Sequence, residues 1–214
     1  MGLSATPSNH AKYQYHAKAI NLASDSIKAL LMRSGFVFDK DRHATKINLM
    51  TNSGAHNLTF DDGTKTITAD AGDFVADGFV IGNKITTDAA LNPGPFTITD
   101  VTTLVITVAE AVVDEGPVLK TVTSNDELAT GAGYTRDTKT LTGQTVTEGT
   151  QAEMTCGSIN WTASGGTIGP TPGCILYDDT SGDDTILGYL DFNGEQSVTD
   201  PDALTIENLK IQIA

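Results

Sequence analysis

Cysteine is nearly missing from this 214-residue chain, and that sets the first boundary. Cys156 and Cys174 are the only two, too few for a disulfide-built scaffold. Both lie near the ends of expected strands, so a bridge is conceivable, but free buried thiols are the expected state. Neither has a histidine at ligand spacing, so zinc has no support. Basic residues are scarce as well. Thirteen Lys and Arg face 27 Asp and Glu, a net charge of −14, which argues against nucleic-acid binding through phosphates. Apolar runs are short: none approaches the ~20 residues of a membrane span. Met1 to Ile20 lacks the continuous apolar stretch of a secretory signal. The expectation is a soluble protein made in the cytoplasm, or one that leaves by a route other than standard secretion. Catalytic signatures are missing too. There is no Gly-x-Ser-x-Gly, P-loop or dinucleotide fingerprint. His10, His16, His43 and His56 have no placed carboxylate and nucleophile beside them. The chain is therefore not expected to be an enzyme, and no cofactor or metal is assigned.

What is present favours strands. Gly is frequent, at 21, Thr is abundant and the apolar runs are short, a combination that points to an all-β fold. The densest signal is Gly173 to Phe192. Cys174 to Tyr177 reads as an apolar strand, Asp178 to Asp184 as a turn rich in Asp, Ser, Thr and Gly, and Thr185 to Phe192 as a second strand. This is a hairpin. Its apolar residues do not alternate cleanly with polar ones, which predicts partial burial on both faces. Ser26 to Arg33 is a further strand, with Ile27, Ala29 and Leu31 on one face.

Composition shifts twice. Between Thr51 and Thr123 the chain reads as short strands and turns, including an Asp61-Asp62-Gly63 hairpin turn and a rigid Asn92 to Pro95 turn. This stretch is read as an inserted β module. Residues 25–50 and 124–214 form the expected body, a jelly-roll-like β-sandwich, and residues 1–24 an N-terminal arm. Ser8 is a candidate cap for a short helix from His10 to Ala23, although the apolar stripe of Tyr13, Ala17 and Ile20 is weak. An extended arm lying on a neighbour fits equally well. Charge divides along the same lines. Residues 1–50 hold seven basic and three acidic residues, net +4, and the remainder carries −18. Such an asymmetry arises by chance on a solvated surface, or it marks an arm that docks on an acidic partner.

Three segments in the first part of the chain, Asn9 to Gln14, Asp25 to Phe36 and Phe38 to His43, precede three in the last: Gly133 to Leu141, Trp161 to Pro170 and Gly188 to Gln196. In this order they resemble a family of structural proteins of tailed bacteriophages, over about residues 8–50 and 125–214. Residues 78–108 resemble a small β module that recurs as an insertion in phage tail-tube and other virion proteins. The resemblance implies a virion component with a β-sandwich body and brings no catalytic residues. Its first implication is a capsid decoration (cement) protein on the capsid surface, a homotrimer bound to the major capsid protein. The alternative is a tail or fibre-associated protein with tail proteins as partners. Nucleic acid and membrane are not expected partners.

Candidate interface residues follow. Lys12, Tyr13, Tyr15 and Lys18 belong to the arm. Tyr134 and Arg136 open the most distinctive motif, and both types are enriched at binding hot spots. The competing reading is that Tyr134 plugs the body and Arg136 pairs with an acidic residue of the same chain. Asp178, Asp179, Asp183 and Asp184 crowd one turn. Oxygen-rich turns can bind Ca²⁺, but EF-hand order and its final Glu are missing, so a solvated acidic loop is expected. A glycan-hydrolysing role for these acids is a third reading, from a different class, and needs a desolvated carboxylate that an open turn rarely provides.

Overall fold

A computed structural model describes residues 5–17, 19–147 and 152–213. In chain order its elements are α1 (Asn9–His16), β1 (Ile27–Leu31), a 3₁₀ turn (Lys46–Leu49), β2 (Met50–Asp61), β3 (Thr66–Ala69), α2 (Phe74–Asp77), β4 (Lys84–Thr87), β5 (Phe96–Val101), β6 (Val105–Val108) and β7 (Glu115–Asn125). Then follow β8 (Lys139–Thr140), β9 (Thr145–Thr147), β10 (Ala152–Thr155), β11 (Ile159–Thr162), β12 (Thr167–Asp178), β13 (Ile186–Thr199), β14 (Ala203–Ile206) and β15 (Lys210–Ile213). The fold is all-β, in two compact units: residues 1–49 with 127–214, and Met50–Asp126. The module bounds read from sequence, 51–123, lie inside the second unit.

The first unit is organised on a sheet of order β13-β12-β1-β8. The expected hairpin is its centre: β12 and β13 pair antiparallel, with Ile175 opposite Tyr189 and Cys174 opposite Leu190. β1 lies on the other side of β12, Leu31 opposite Cys174 and Ile27 opposite Asp178. Alternation then sends side chains to two cores. Ile27, Ala29, Leu31, Cys174, Leu176, Leu187 and Leu190 enter the larger one. Met154, Ile159, Trp161, Ile206 and Ile211, from the smaller sheets, close the same core. Leu30, Met32, Ile175, Tyr177, Ile186 and Tyr189 point the other way, against Phe36 and Leu49. A strand buried on both faces cannot alternate apolar with polar, which is why this hairpin reads as continuous apolar runs.

The rest of this unit is divided between smaller sheets. Its other strands form a three-stranded sheet, β15-β10-β9, and a two-stranded one, β11-β14. β1 is short. With five residues it flanks β12 only from Cys174 to Asp178. Beyond Gly173 the β12–β13 ribbon has no such neighbour, and its register shifts between Ile168 and Gly173. Bulges of this kind bend and twist a ribbon out of a flat sheet.

The second unit is a closed barrel of order β2-β3-β6-β5-β4-β7. Its strands alternate: β3 reads intermediate, buried, intermediate, buried, and β4 exposed, buried, exposed, buried. One core, holding Leu58, Phe60, Ile67, Phe74, Phe79, Ile85, Ile98, Ile106 and Val122, fills the interior. Asp73 caps α2 by accepting the Val75 and Ala76 N–H groups, and Gly78, at φ 100°, ends it in the left-handed conformation. The short helix brings Phe74 edge-on to Phe79, centroids 5.7 Å apart.

Candidate functional site

The segment expected to be an arm is packed on its own body. Thr6 and Tyr189 exchange two main-chain bonds, Thr6 N–H to Tyr189 O at 2.8 Å and Tyr189 N–H to Thr6 O at 2.9 Å. This approach depends on Gly188. A Cβ there would lie 2.6 Å from the Thr6 carbonyl oxygen, so any side chain would push the segment away. Ser8, fully buried, caps α1 by accepting the Ala11 N–H at 3.0 Å, and its own hydroxyl donates to Ile186 O at 2.6 Å. Ala5 and Ala11 are buried beside it. The Asn9 N–H reaches Lys40 O at 3.0 Å, and its side-chain amide donates to Asp41. The helix is shorter than expected, ending at His16, and Ala11 is its one buried residue.

Of the four arm candidates, Lys12 and Tyr13 face outward, Tyr13 with 66% of its surface exposed. Tyr15 turns inward and is only partly accessible; its hydroxyl is buried without a hydrogen-bond partner among the described residues. Burial, and the nearby carboxylates of Asp178 and Asp25, push its ionisation far above the ordinary tyrosine range. Lys18 lies outside the described residues.

Tyr134 is not an interface anchor on this chain's surface. It is 2% exposed and sits in the larger core. Its hydroxyl donates to Glu127 Oε1 at 2.7 Å and accepts the Leu31 N–H at 3.1 Å, so it holds the loop after Glu127 to strand β1. Arg136, half-buried, donates to the main-chain carbonyls of Leu128 at 2.9 Å and Glu127 at 3.0 Å. The motif is distinctive because it locks this loop. Trp161 is 4% exposed, in the same core. Both cysteines are free thiols, Cys174 buried and Cys156 half-buried, and burial raises the pKa of each.

Beside the docked segment lies the acidic turn, and its carboxylates are engaged within the chain. Asp178 Oδ1 accepts the Thr180 and Ser181 N–H groups at 2.8 and 3.3 Å. Asp183 accepts the Thr185 hydroxyl at 2.6 Å and meets His10 Nε2 at 3.0 Å, which ties the turn to α1. Lys46 Nζ lies 2.8 Å from Asp137, 3.6 Å from Asp184 and 4.8 Å from the centroid of the Tyr177 ring. Lys28 joins Asp179 at 3.0 Å and Asp137 at 3.9 Å. The Tyr177 hydroxyl donates to Asp137.

The electrostatics follow from these pairs. Burial alone would raise Asp137, but the hydrogen bonds from Lys46 and Tyr177 and the charges of Lys46 and Lys28 hold it below the usual carboxylate range. Asp178 goes the other way. It is 1% exposed, and burial together with the Asp25 carboxylate outweighs its two N–H bonds and raises its pKa. Its Oδ2 has no hydrogen-bond partner among the described residues. Among the described residues no group of three His, Cys, Asp or Glu side chains is placed to hold a metal ion. The turn fastens α1, β1, the 3₁₀ turn and the hairpin into one surface, and its acids are consumed in doing so.

In the sequence the turn, the arm and the hairpin are separate features; in the fold Gly188, Ser8 and Asp183 join them. The available signal was a glycine inside an apolar strand, which marks a close backbone approach. No protein-family model, curated protein or solved structure matches the chain.

Proposed function

We propose that this chain is a structural protein of a tailed-bacteriophage virion, and that it decorates the assembled head by binding the major capsid protein. The observation that carries the reading is the ordered set of segments from Asn9 to His43 and from Gly133 to Gln196, which resemble virion structural proteins. The two-unit construction is consistent with it, because connections between the elements of a folded body tolerate insertions. A decorating protein works by many weak contacts repeated over a lattice, which stabilise the assembled state by mass action. On this reading Lys12 and Tyr13, the outward pair of α1, are contact residues, and the particle carries the protein as a homotrimer.

Residues 78–108, inside the closed barrel, favour a second reading, a tail or fibre-associated protein. Quantitative mass spectrometry on purified particles, separated into heads and tails, decides between the two. Hundreds of copies with the heads support decoration. Tens or fewer with the tails support the second reading. Absence from both fractions sinks the virion assignment.

A further inference from the structure

One place in the first unit gathers oxygens without a counter-charge. It lies where the residues leading into β1 meet the end of β12. The Ser26 N–H donates to Thr180 Oγ1 at 2.7 Å, the Asp179 N–H donates to Ser26 O at 2.8 Å, and Ile27 stands opposite Asp178. These bonds set Asp25 beside the start of the acidic turn. Asp25 is itself fixed. Its Oδ2 accepts the Asn21 N–H at 2.5 Å, its N–H donates to Asn21 O at 2.9 Å, and its main-chain carbonyl accepts from the Gln144 amide at 3.1 Å. Tyr15 comes in from α1 and packs against the larger core.

Two buried atoms there are left over. Asp178, 1% exposed, uses Oδ1 to accept the Thr180 and Ser181 N–H groups. Its Oδ2 and the Tyr15 hydroxyl have no hydrogen-bond partner among the described residues. The Asp25 carboxylate is near enough to act on both side chains. The bases of this surface are committed elsewhere: Lys28 lies on Asp179, Lys46 on Asp137 and Asp184, and His10 on Asp183. Among the described residues no Lys, Arg or His forms an ion pair with Asp25 or Asp178.

Buried polar atoms in folded proteins are satisfied by protein, by water or by an ion. Water alone satisfies the Tyr15 hydroxyl but leaves two carboxylates side by side at neutral pH, each disfavouring the charge of the other. A cation answers both. The side-chain atoms around it are all oxygens, which suits a hard ion. Calcium accepts an irregular, partly hydrated shell, whereas magnesium demands a near-ideal octahedron. We infer that Asp25, Asp178 Oδ2 and the Tyr15 hydroxyl form a calcium site that staples α1 to β1 and the hairpin. The protein supplies two carboxylates and one neutral hydroxyl, and water completes the shell. So few charged ligands put the affinity at about 0.1–1 mM. Asp179, Asp183 and Asp184 take no part, since each already meets a basic side chain of the same chain. The inference does not depend on the virion reading.

The test uses the full chain at pH 7, freed of metal with chelator and titrated with calcium chloride. Isothermal titration calorimetry is expected to show one site per chain in that range. Terbium, a luminescent stand-in for calcium, is expected to bind with emission excited through the Tyr15 ring, to be displaced by calcium, and to lose most of that emission in Tyr15→Phe. Saturating calcium is expected to raise the Tm of the first unit by about 3–6 °C. Asp25→Asn changes a partly accessible position; its circular dichroism is expected to match the wild type and its calcium binding to weaken at least about tenfold. Asp178→Asn reads the sign. It is expected to be at least as stable as the wild type in chelator and less stable than it in saturating calcium. An order that calcium does not change overturns the inference, and so does a wild-type chain that binds no calcium. Unweakened binding by Asp25→Asn places the ion on other acids of the chain and overturns it as well. Equal stabilisation by magnesium, or by sodium at the same ionic strength, means only that an acidic chain is being screened, and the site is excluded.

Discussion

The two units solve the same problem, hiding apolar surface with strands, in opposite ways. The barrel is one sheet closed on itself, with one interior; its strands alternate, and half of its strand pairs, β2–β3, β4–β5 and β5–β6, join neighbours in sequence. β5 and β6 are joined by a three-residue turn, and β2 and β3 by a four-residue one. The other unit is built from distant pieces. β1 pairs with a strand some 150 residues away, and Thr6 bonds a residue on β13 farther still. Its central sheet is buried on both faces along β1, β12 and the first half of β13, so each of these strands contributes to two cores. Alternation around one interior makes the barrel readable strand by strand, whereas the discontinuous unit is specified by single residues at points of close approach.

Breaking each unit separately gives the largest effect. Leu176→Ala removes a fully buried side chain from the larger core, and Ile106→Ala does so in the barrel. Each is expected to cost about 2–5 kcal/mol. Differential scanning calorimetry is expected to show the first lowering one transition and the second lowering another. Equal lowering of a single transition by both would mean that the units unfold as one.

Next is the seat at Gly188. Gly188→Ala is expected to destabilise the first unit by about 1–3 kcal/mol through overpacking, and to undo the Thr6 pairing. Hydrogen exchange reads it: the Thr6 and Tyr189 amides lose protection together while barrel amides keep theirs. Retained protection at Thr6 would show that the seat is not steric. For the same reason, deleting residues 1–24 is expected to lower the stability of the body, because Ser8, Ala5 and Ala11 are part of its interior.

The acid limb sharpens the comparison further. Asp137 is held below its ordinary pKa, so its contribution is present above the unfolded value of about 4 and is lost as pH falls through the lower folded value. The carboxylate side chain is 38% exposed, so solvent screening keeps the contribution below about 1 kcal/mol. Asp137→Asn is expected to flatten the acid limb of urea unfolding for the first unit only. An unchanged limb would show that the cluster with Lys46 and Lys28 contributes nothing.

Asp178 gives the smallest effect and the opposite sign. Its folded pKa is raised, so the folded state favours the protonated form, and stability is lost as pH rises from about 4 through the folded value. Asp178→Asn keeps the oxygen that accepts from Thr180 and Ser181 and removes the buried charge. With no divalent cation present, it is expected to be neutral at pH 3 and stabilising by up to about 1 kcal/mol at pH 7. Destabilisation at pH 7 would show that the charge is held by a group in the Tyr15 and Asp25 surroundings.

The all-β class was legible because Thr, Gly and short apolar runs leave no helical stripe of any length. So was the β12–β13 hairpin, since its turn chemistry is dense and its strands are apolar. β2 and β7, Met50–Asp61 and Glu115–Asn125, are longer than the short strands that the sequence displays there. Their outer halves are polar on both sides and exist because each pairs the other. The docking of α1 was illegible from its own residues, since only Ala11 is buried and the partner groove is set by Gly188. Tyr134 read as a surface anchor or a plug with equal justice, because the sequence does not display that Glu127 stands ready to accept its hydroxyl. Asn92 was read as part of a rigid turn; nothing adjacent announces that its amide serves the main chain of Val113, 21 residues on.

The barrel's first and last strand residues, Met50 and Asn125, are register partners across β2 and β7. In polymer terms the folded barrel is a loop already closed, its two ends held about 5 Å apart, the spacing of directly opposed residues. The surrounding unit therefore folds as though a tight turn joined Leu49 to Glu127. Should the barrel melt, the same unit would have to close a long flexible loop, at an entropic cost that rises by only about 0.6 kcal/mol for each doubling of length. The length of the inserted chain is thus almost irrelevant to its host. What matters is whether its ends meet, so another folded module with adjoining termini would serve at this position as well as the barrel does.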